Sequence, residues 1–139
     1  MKIALAGAGA FGIKHIEGIQ KIDGAEVISL VGREQGKTRE VAAKFGIGHV
    51  TTDLADSLAI KEVDAVILCT PTQMHAAQAI ACMKAGKHVQ VEIPLADSLK
   101  DAEAVVALQK QTGLIAMCGH TRRFNPSHQY VHKKIRAGE

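Results

Sequence analysis

The chain has 139 residues, 47% of them hydrophobic and 22% charged, with a formal net charge of +3. That is enough for one globular domain with a real core, and its mildly basic balance suits a small anionic ligand. Aromatics make up only 3% and no basic stripe occurs, which argues against nucleic acid; no apolar run is long enough for a membrane span.

The first predicted strand, about 2–6, runs directly into Gly7-Ala8-Gly9-Ala10-Phe11-Gly12, and a helical pattern follows over about 11–22. A strand feeding G-x-G-x-x-G at the start of a helix is the arrangement that dinucleotide binding requires. Gly7 permits the tight turn, Gly9 lets the backbone approach a pyrophosphate, and Gly12 lets the helix pack close to the strand. Ala10 and Phe11 complete the loop at the helix N-terminus, whose partial positive charge favours phosphate.

The second strand, about 26–31, ends on Gly32-Arg33, with a helix over about 34–45. An NAD-binding chain usually places Asp or Glu there to accept the ribose 2′-hydroxyl. Arg33 instead pairs with a 2′-phosphate, with Lys37 one turn on, so NADP is expected over NAD. Glu34 is the one awkward neighbour, and a solvated Arg33 that tolerates both cofactors is the alternative.

A short strand at about 48–51 and a helix at about 54–59 precede the buried run Ala65-Val-Ile-Leu-Cys69. Thr70-Pro71-Thr72 follows, with His75 in the first turn of a helix over about 74–85. These residues read as contacts to the ribose or pyrophosphate, or as a capped turn with a surface histidine. The fifth strand, about 88–91, ends on Glu92-Ile93-Pro94. Glu92 is placed either to hydrogen-bond a ribose hydroxyl or to make a structural ion pair.

Ser98 is the expected N-cap of a helix over about 98–112, with Asp101 three residues on and Gly113 closing it. The sixth strand, about 115–118, leads to Gly119-His120-Thr121-Arg122-Arg123-Phe124-Asn125, read as an extended segment whose two arginines diverge. His120, Arg122 and Arg123 form a cationic group suited to a substrate carboxylate or phosphate, or else a solvated basic loop. Asn125 and Pro126 start a last helix over about 126–137.

Strict alternation of strand and helix predicts an α/β fold: a doubly wound parallel sheet in three α/β/α layers, the NAD(P)-binding Rossmann fold. Residues 1–125 form that domain, and 126–139 read as a connecting helix towards a second domain. Ligands of such sheets sit beyond the C-terminal strand ends, where the polar residues named above concentrate. Cys69, Cys82 and Cys118 read as buried small hydrophobes, and the chain enters its first strand without a leader, so a cytoplasmic location is expected. His128 and His132 lack a third ligand and read as a surface pair, so no metal is expected; His15, His49 and His88 read as structural or surface residues.

Several stretches taken together resemble the Gfo/Idh/MocA oxidoreductases. They are Gly7-x-Gly9-x-x-Gly12-x-x-His15, Thr70-Pro71-x-x-x-His75, Ala85-Gly86-Lys87-His88-Val89, Glu92-x-Pro94 and Gly119-x-x-Arg122-Arg123-Phe124-x-Pro126. The resemblance implies a nicotinamide-dependent dehydrogenase whose second α/β domain supplies much of the substrate pocket, usually the catalytic residue, and the oligomer contacts. The catalytic base is therefore unknown within this chain, and a homo-oligomer is expected. It implies also that Pro94 belongs to the cofactor site and follows a cis peptide. The family's Glu-Lys-Pro appears here as Glu92-Ile93-Pro94, so its lysine cannot be carried over. A non-catalytic dinucleotide-binding module, or a family member acting on sugars or inositol with NAD, are the alternative readings.

Overall fold

A computed structural model describes all 139 residues. Six strands and six α-helices alternate: β1 (Lys2–Ala6), α1 (Ala10–Ile19), β2 (Glu26–Val31), α2 (Gln35–Phe45), β3 (His49–Thr51), α3 (Leu54–Leu58), β4 (Ala65–Leu68), α4 (Thr72–Lys84), β5 (His88–Glu92), α5 (Leu99–Thr112), β6 (Ala116–Gly119) and α6 (Pro126–Arg136). A short 3-10 helix, Thr121–Phe124, separates the last two. The sheet order is β3-β2-β1-β4-β5-β6, and every pairing is parallel. The chain reverses its winding between β1 and β4, so a crevice opens above their C-terminal ends.

The apolar strands work on two faces because side chains alternate. Ile3, Leu5 and Ile67 pack with Ile16 and Ile19 of α1 and Ala42 of α2. Ala4, Ala6, Val66, Leu68, Val89 and Val91 pack with Ala79, Cys82 and Met83 of α4 and Val105 of α5. The layer on the α1 side is incomplete: over β6, Met117 is 48% exposed, as is Ile115 just before it at 66%. No residue of α6 is buried, and the helix packs against the 3-10 turn. No helix is long and apolar enough to cross a membrane.

The predicted caps form. Ser98 Oγ accepts from the Asp101 N–H at 3.1 Å, Asn125 Oδ1 accepts from the Ser127 N–H at 3.0 Å, and Gly113 closes α5 in the left-handed conformation. Two buried polar devices have no obvious cue in the sequence. Lys87 Nζ donates to the carbonyls of Ile60, Lys61 and Val63, tying the α3–β4 connection to β5. Ser29 Oγ joins Ser57 Oγ at 2.7 Å and His49 Nδ1 at 2.9 Å, a chain linking β2, α3 and β3.

Candidate cofactor site

The glycine loop is built by close packing. A Cβ on Gly12 would lie 1.8 Å from the Gly7 carbonyl oxygen, and one on Gly7 would lie 2.4 Å from the Cys69 carbonyl oxygen. Gly7 also has φ +114°, a conformation that side chains rarely adopt. The first residues of α1 therefore sit directly over the β1 end, their free N–H groups facing the crevice. Gly9 has no neighbour within 4 Å of its missing Cβ, so the approach to its backbone is open.

A groove of about 930 Å³ runs from this loop across the β2 and β4 ends. It brings together Gly7, Gly9, Arg33, Lys37, Thr70 and Pro71 as the sequence predicts. Its far end is walled by Asp53 and Leu54 at the start of α3 and by Met74, Ala77 and Gln78 of α4, which sequence reasoning missed. The only cue for these was the Asp53 cap, whose carboxylate accepts from the Ala55 N–H at 2.9 Å. Arg33 is held open to solvent, its side chain 93% exposed. Glu34 lies between the two cations, 3.0 Å from Lys37 Nζ and 3.9 Å from Arg33 Nη2, so its charge is offset locally. Thr72 opens α4, two residues earlier than predicted, with Pro71 as its N-cap. Ala10 and Phe11 are exposed in the first turn of α1.

His75 is placed differently from either reading of the sequence. It is only 1% exposed, and its Nδ1 and Nε2 each lie 2.7 Å from a carbonyl oxygen, those of Pro94 and Thr70 respectively. A neutral imidazole donates through one nitrogen only, so the tautomer decides which of the two carbonyls it serves. His75 is thus a strut joining the β4 turn to the β5 turn rather than a group facing the groove. Pro94 follows a cis peptide bond and offers the strut its carbonyl, while the Thr70 hydroxyl donates to Gln78 Oε1 at 2.5 Å.

Glu92 makes an ion-pair contact, Oε1 to His15 Nε2 at 2.7 Å, with the two side chains 11% and 19% exposed. This is the structural reading of Glu92, and it gives His15 a role that the sequence left undefined. The cue was its position one turn after Gly12, on the sheet-facing side of α1. Gly119 makes room for the pair: a Cβ there would lie 3.0 Å from Glu92 Oε1. Cys69 flanks Glu92, and burial together with that carboxylate pushes its thiol up to about 12; Cys118 is raised for the same reasons. Neither thiol is fully buried, in contrast to Cys82 and to the expectation for all three.

A second hollow of about 360 Å³ lies beside this pair, lined by His15, Gln90, Gly119, His120, Thr121 and Phe124 among others. The segment carrying His120, Arg122 and Arg123 is not extended: residues Thr121–Phe124 form a 3-10 helix. Successive residues on such a turn point about 120° apart, so the two arginines diverge for a different reason. All three side chains are exposed, and neither arginine has an ion-pair partner within the chain.

The pattern described as "Oxidoreductase family, NAD-binding Rossmann fold", that of Gfo/Idh/MocA, matches residues 1–120. The chain belongs to that family. It is 67% identical over its full 139 residues to a 4-carboxy-2-hydroxymuconate-6-semialdehyde dehydrogenase of Sphingobium sp., covering 44% of that protein. It is 32% identical to a scyllo-inositol 2-dehydrogenase (NAD(+)) of Bacillus subtilis, covering 41% of it. Its fold overlays a scyllo-inositol dehydrogenase of Lactobacillus casei, solved with NAD(H) and scyllo-inositol, at TM-score 0.92 and 26% identity, over 99% of this chain and 41% of that one. The chain thus spans less than half the length of these relatives. By pattern and by fold it is the family's NAD-binding Rossmann domain. The residues present fit a nicotinamide dinucleotide: Gly9 leaves its backbone open to approach, Gly7 and Gly12 admit no Cβ, and the groove beside them carries two cations.

Proposed function

We propose that this chain is the cofactor domain of an NADP-dependent dehydrogenase that oxidises the cyclic hemiacetal of 4-carboxy-2-hydroxymuconate-6-semialdehyde to 2-pyrone-4,6-dicarboxylate, in the protocatechuate 4,5-cleavage route of aromatic catabolism. The observation that carries this reading is the 67% identity across the whole chain to a dehydrogenase bearing that substrate's name. Bound in the groove, the nicotinamide would accept the hydride. The protein's part is geometry and field. The α1 N-terminus and glycine loop hold the pyrophosphate. Arg33 and Lys37 receive a 2′-phosphate. Thr70, Thr72 and Pro71 shape the ribose side, and the His75 strut and the Glu92–His15 pair fix the two turns that frame it.

His120, Arg122 and Arg123 stand at the C-terminal end of β6, exposed and without an internal counter-charge. They suit a substrate that carries carboxylates. In this reading residues 126–139 lead into a second domain that completes the substrate pocket, supplies the base for the hydroxyl proton and assembles the oligomer. The protein is placed in the cytoplasm by the same reading. The test is an assay of the protein joined to that second domain, on the semialdehyde with NADP or NAD, following the pyrone. Arg122→Ala or Arg123→Ala is expected to raise KM about tenfold or more, since each loses a charge-assisted contact. No turnover of the semialdehyde, or an unchanged KM in both variants, refutes the proposal.

A further inference from the structure

The end of β2 carries a packing feature that charge alone does not explain. Gly32 directly follows β2 and stays tied to β3, its N–H donating to the Thr51 carbonyl at 3.1 Å. A Cβ at Gly32 would lie 2.1 Å from Thr38 Oγ1, 2.9 Å from its Cγ2 and 3.1 Å from its Cβ. Thr38 is unable to yield. It is 1% exposed, and its hydroxyl donates to the Glu34 carbonyl at 2.7 Å, one turn back in α2. Its branched side chain has few staggered positions, and turning it would bury a hydroxyl without a partner.

We infer that the Thr38–Gly32 contact is a specificity determinant of this site, closing it to the acidic side chain that would select a 2′-hydroxyl and leaving it to a dinucleotide carrying a 2′-phosphate. This rests on the NADP reading and locates it in α2 packing as well as in Arg33. A carboxylate at the strand end accepts the ribose hydroxyls and repels a phosphate. Here no side chain of any kind fits at position 32. The groove wall is left to backbone, to Arg33 and to Lys37, with Glu34 held between the two cations. Thr38 acts through packing: it fills the space beside Gly32 and shapes the turn from Gly32 to Glu34 through its bond to the Glu34 carbonyl.

The test titrates NADPH and NADH into this chain and its variants, with each variant's fold checked by circular dichroism and melting. The wild-type chain is expected to bind NADPH more tightly than NADH. Gly32→Asp alone is expected to melt lower and to lose affinity for both cofactors. Gly32→Asp with Thr38→Ala is expected to fold, to lose roughly 100-fold in NADPH affinity and to prefer NADH, because the cleared slot now holds a carboxylate. Thr38→Ala alone is expected to keep the preference for NADPH. The inference is overturned if Gly32→Asp alone melts and binds like wild type, or if the folded double variant keeps the wild-type preference. A wild-type chain that prefers NADH overturns the NADP reading itself, and the inference with it.

Discussion

Replacing Gly12 by alanine tests whether the glycine loop is a packing device before it is a binding device. The added Cβ would sit 1.8 Å from the Gly7 carbonyl oxygen and 3.0 Å from Leu5 Cδ2, so loop and helix must separate by about 1.2 Å to reach the shortest tolerated contact. Gly7 has nowhere to retreat. Its N–H donates to the Val31 carbonyl at 2.8 Å, and its other side abuts the Cys69 backbone. Overpacking of this kind costs about 1–3 kcal/mol, and alanine's better helix propensity returns up to about 1 kcal/mol. The expected net loss of about 1–2 kcal/mol lowers Tm by about 4–8 °C in a domain of this size. Displacing α1 also moves its N-terminal amides off the pyrophosphate position, so NADPH affinity should fall about tenfold or more. Two controls separate the effects. Gly18, exposed on the same helix with nothing within 4 Å, should as alanine raise Tm by about 2–4 °C. Gly9→Ala, also with open space around it, should leave Tm unchanged and still weaken NADPH. Differential scanning calorimetry and a fluorescence titration read both quantities. A Gly12→Ala chain with wild-type Tm and wild-type affinity would refute the packing argument.

Two further perturbations follow from buried groups. His75→Ala removes a buried ring and leaves the Thr70 and Pro94 carbonyls without their donor. It should cost about 2–4 kcal/mol, seen as a fall of more than about 1 M in the urea midpoint; an unchanged midpoint would show that the strut holds nothing. The thiols of Cys69 and Cys82 are pushed up from 9.0 to about 12 by burial, so the fold favours the neutral form. Above pH 9 the unfolded chain sheds these protons first, so stability is unaffected below pH 9 and declines as pH rises from 9 towards 12. Native alkylation by iodoacetamide at pH 8 should accordingly be much slower than in the denatured chain, and equal rates would contradict the burial.

The sequence by itself determined the layers of this protein. Apolar strands of four to six residues, alternating with capped helices, admit little besides a parallel sheet covered on both sides, and the observed strands and helices match the predicted ones to within a few residues. It also placed Gly7 to Gly12, Gly32-Arg33, Thr70-Pro71 and Glu92 at strand ends, which share one edge of the sheet. Periodicity is a local signal, however, and pairings across the fold are not. That His15 of α1 meets Glu92 of β5, 77 residues away, was decided by the sheet order that brings β5 two strands from β1. That His75 turns inward to two carbonyls, rather than outward to a ligand, was decided by the turn at Pro94 arriving beside the turn at Thr70. The missing Cβ of Gly32 acquired its meaning only when α2 folded back and set Thr38 against it. Local propensity chooses elements, but the identity of a neighbour depends on packing between elements distant in sequence, and the roles of these side chains are set by their neighbours.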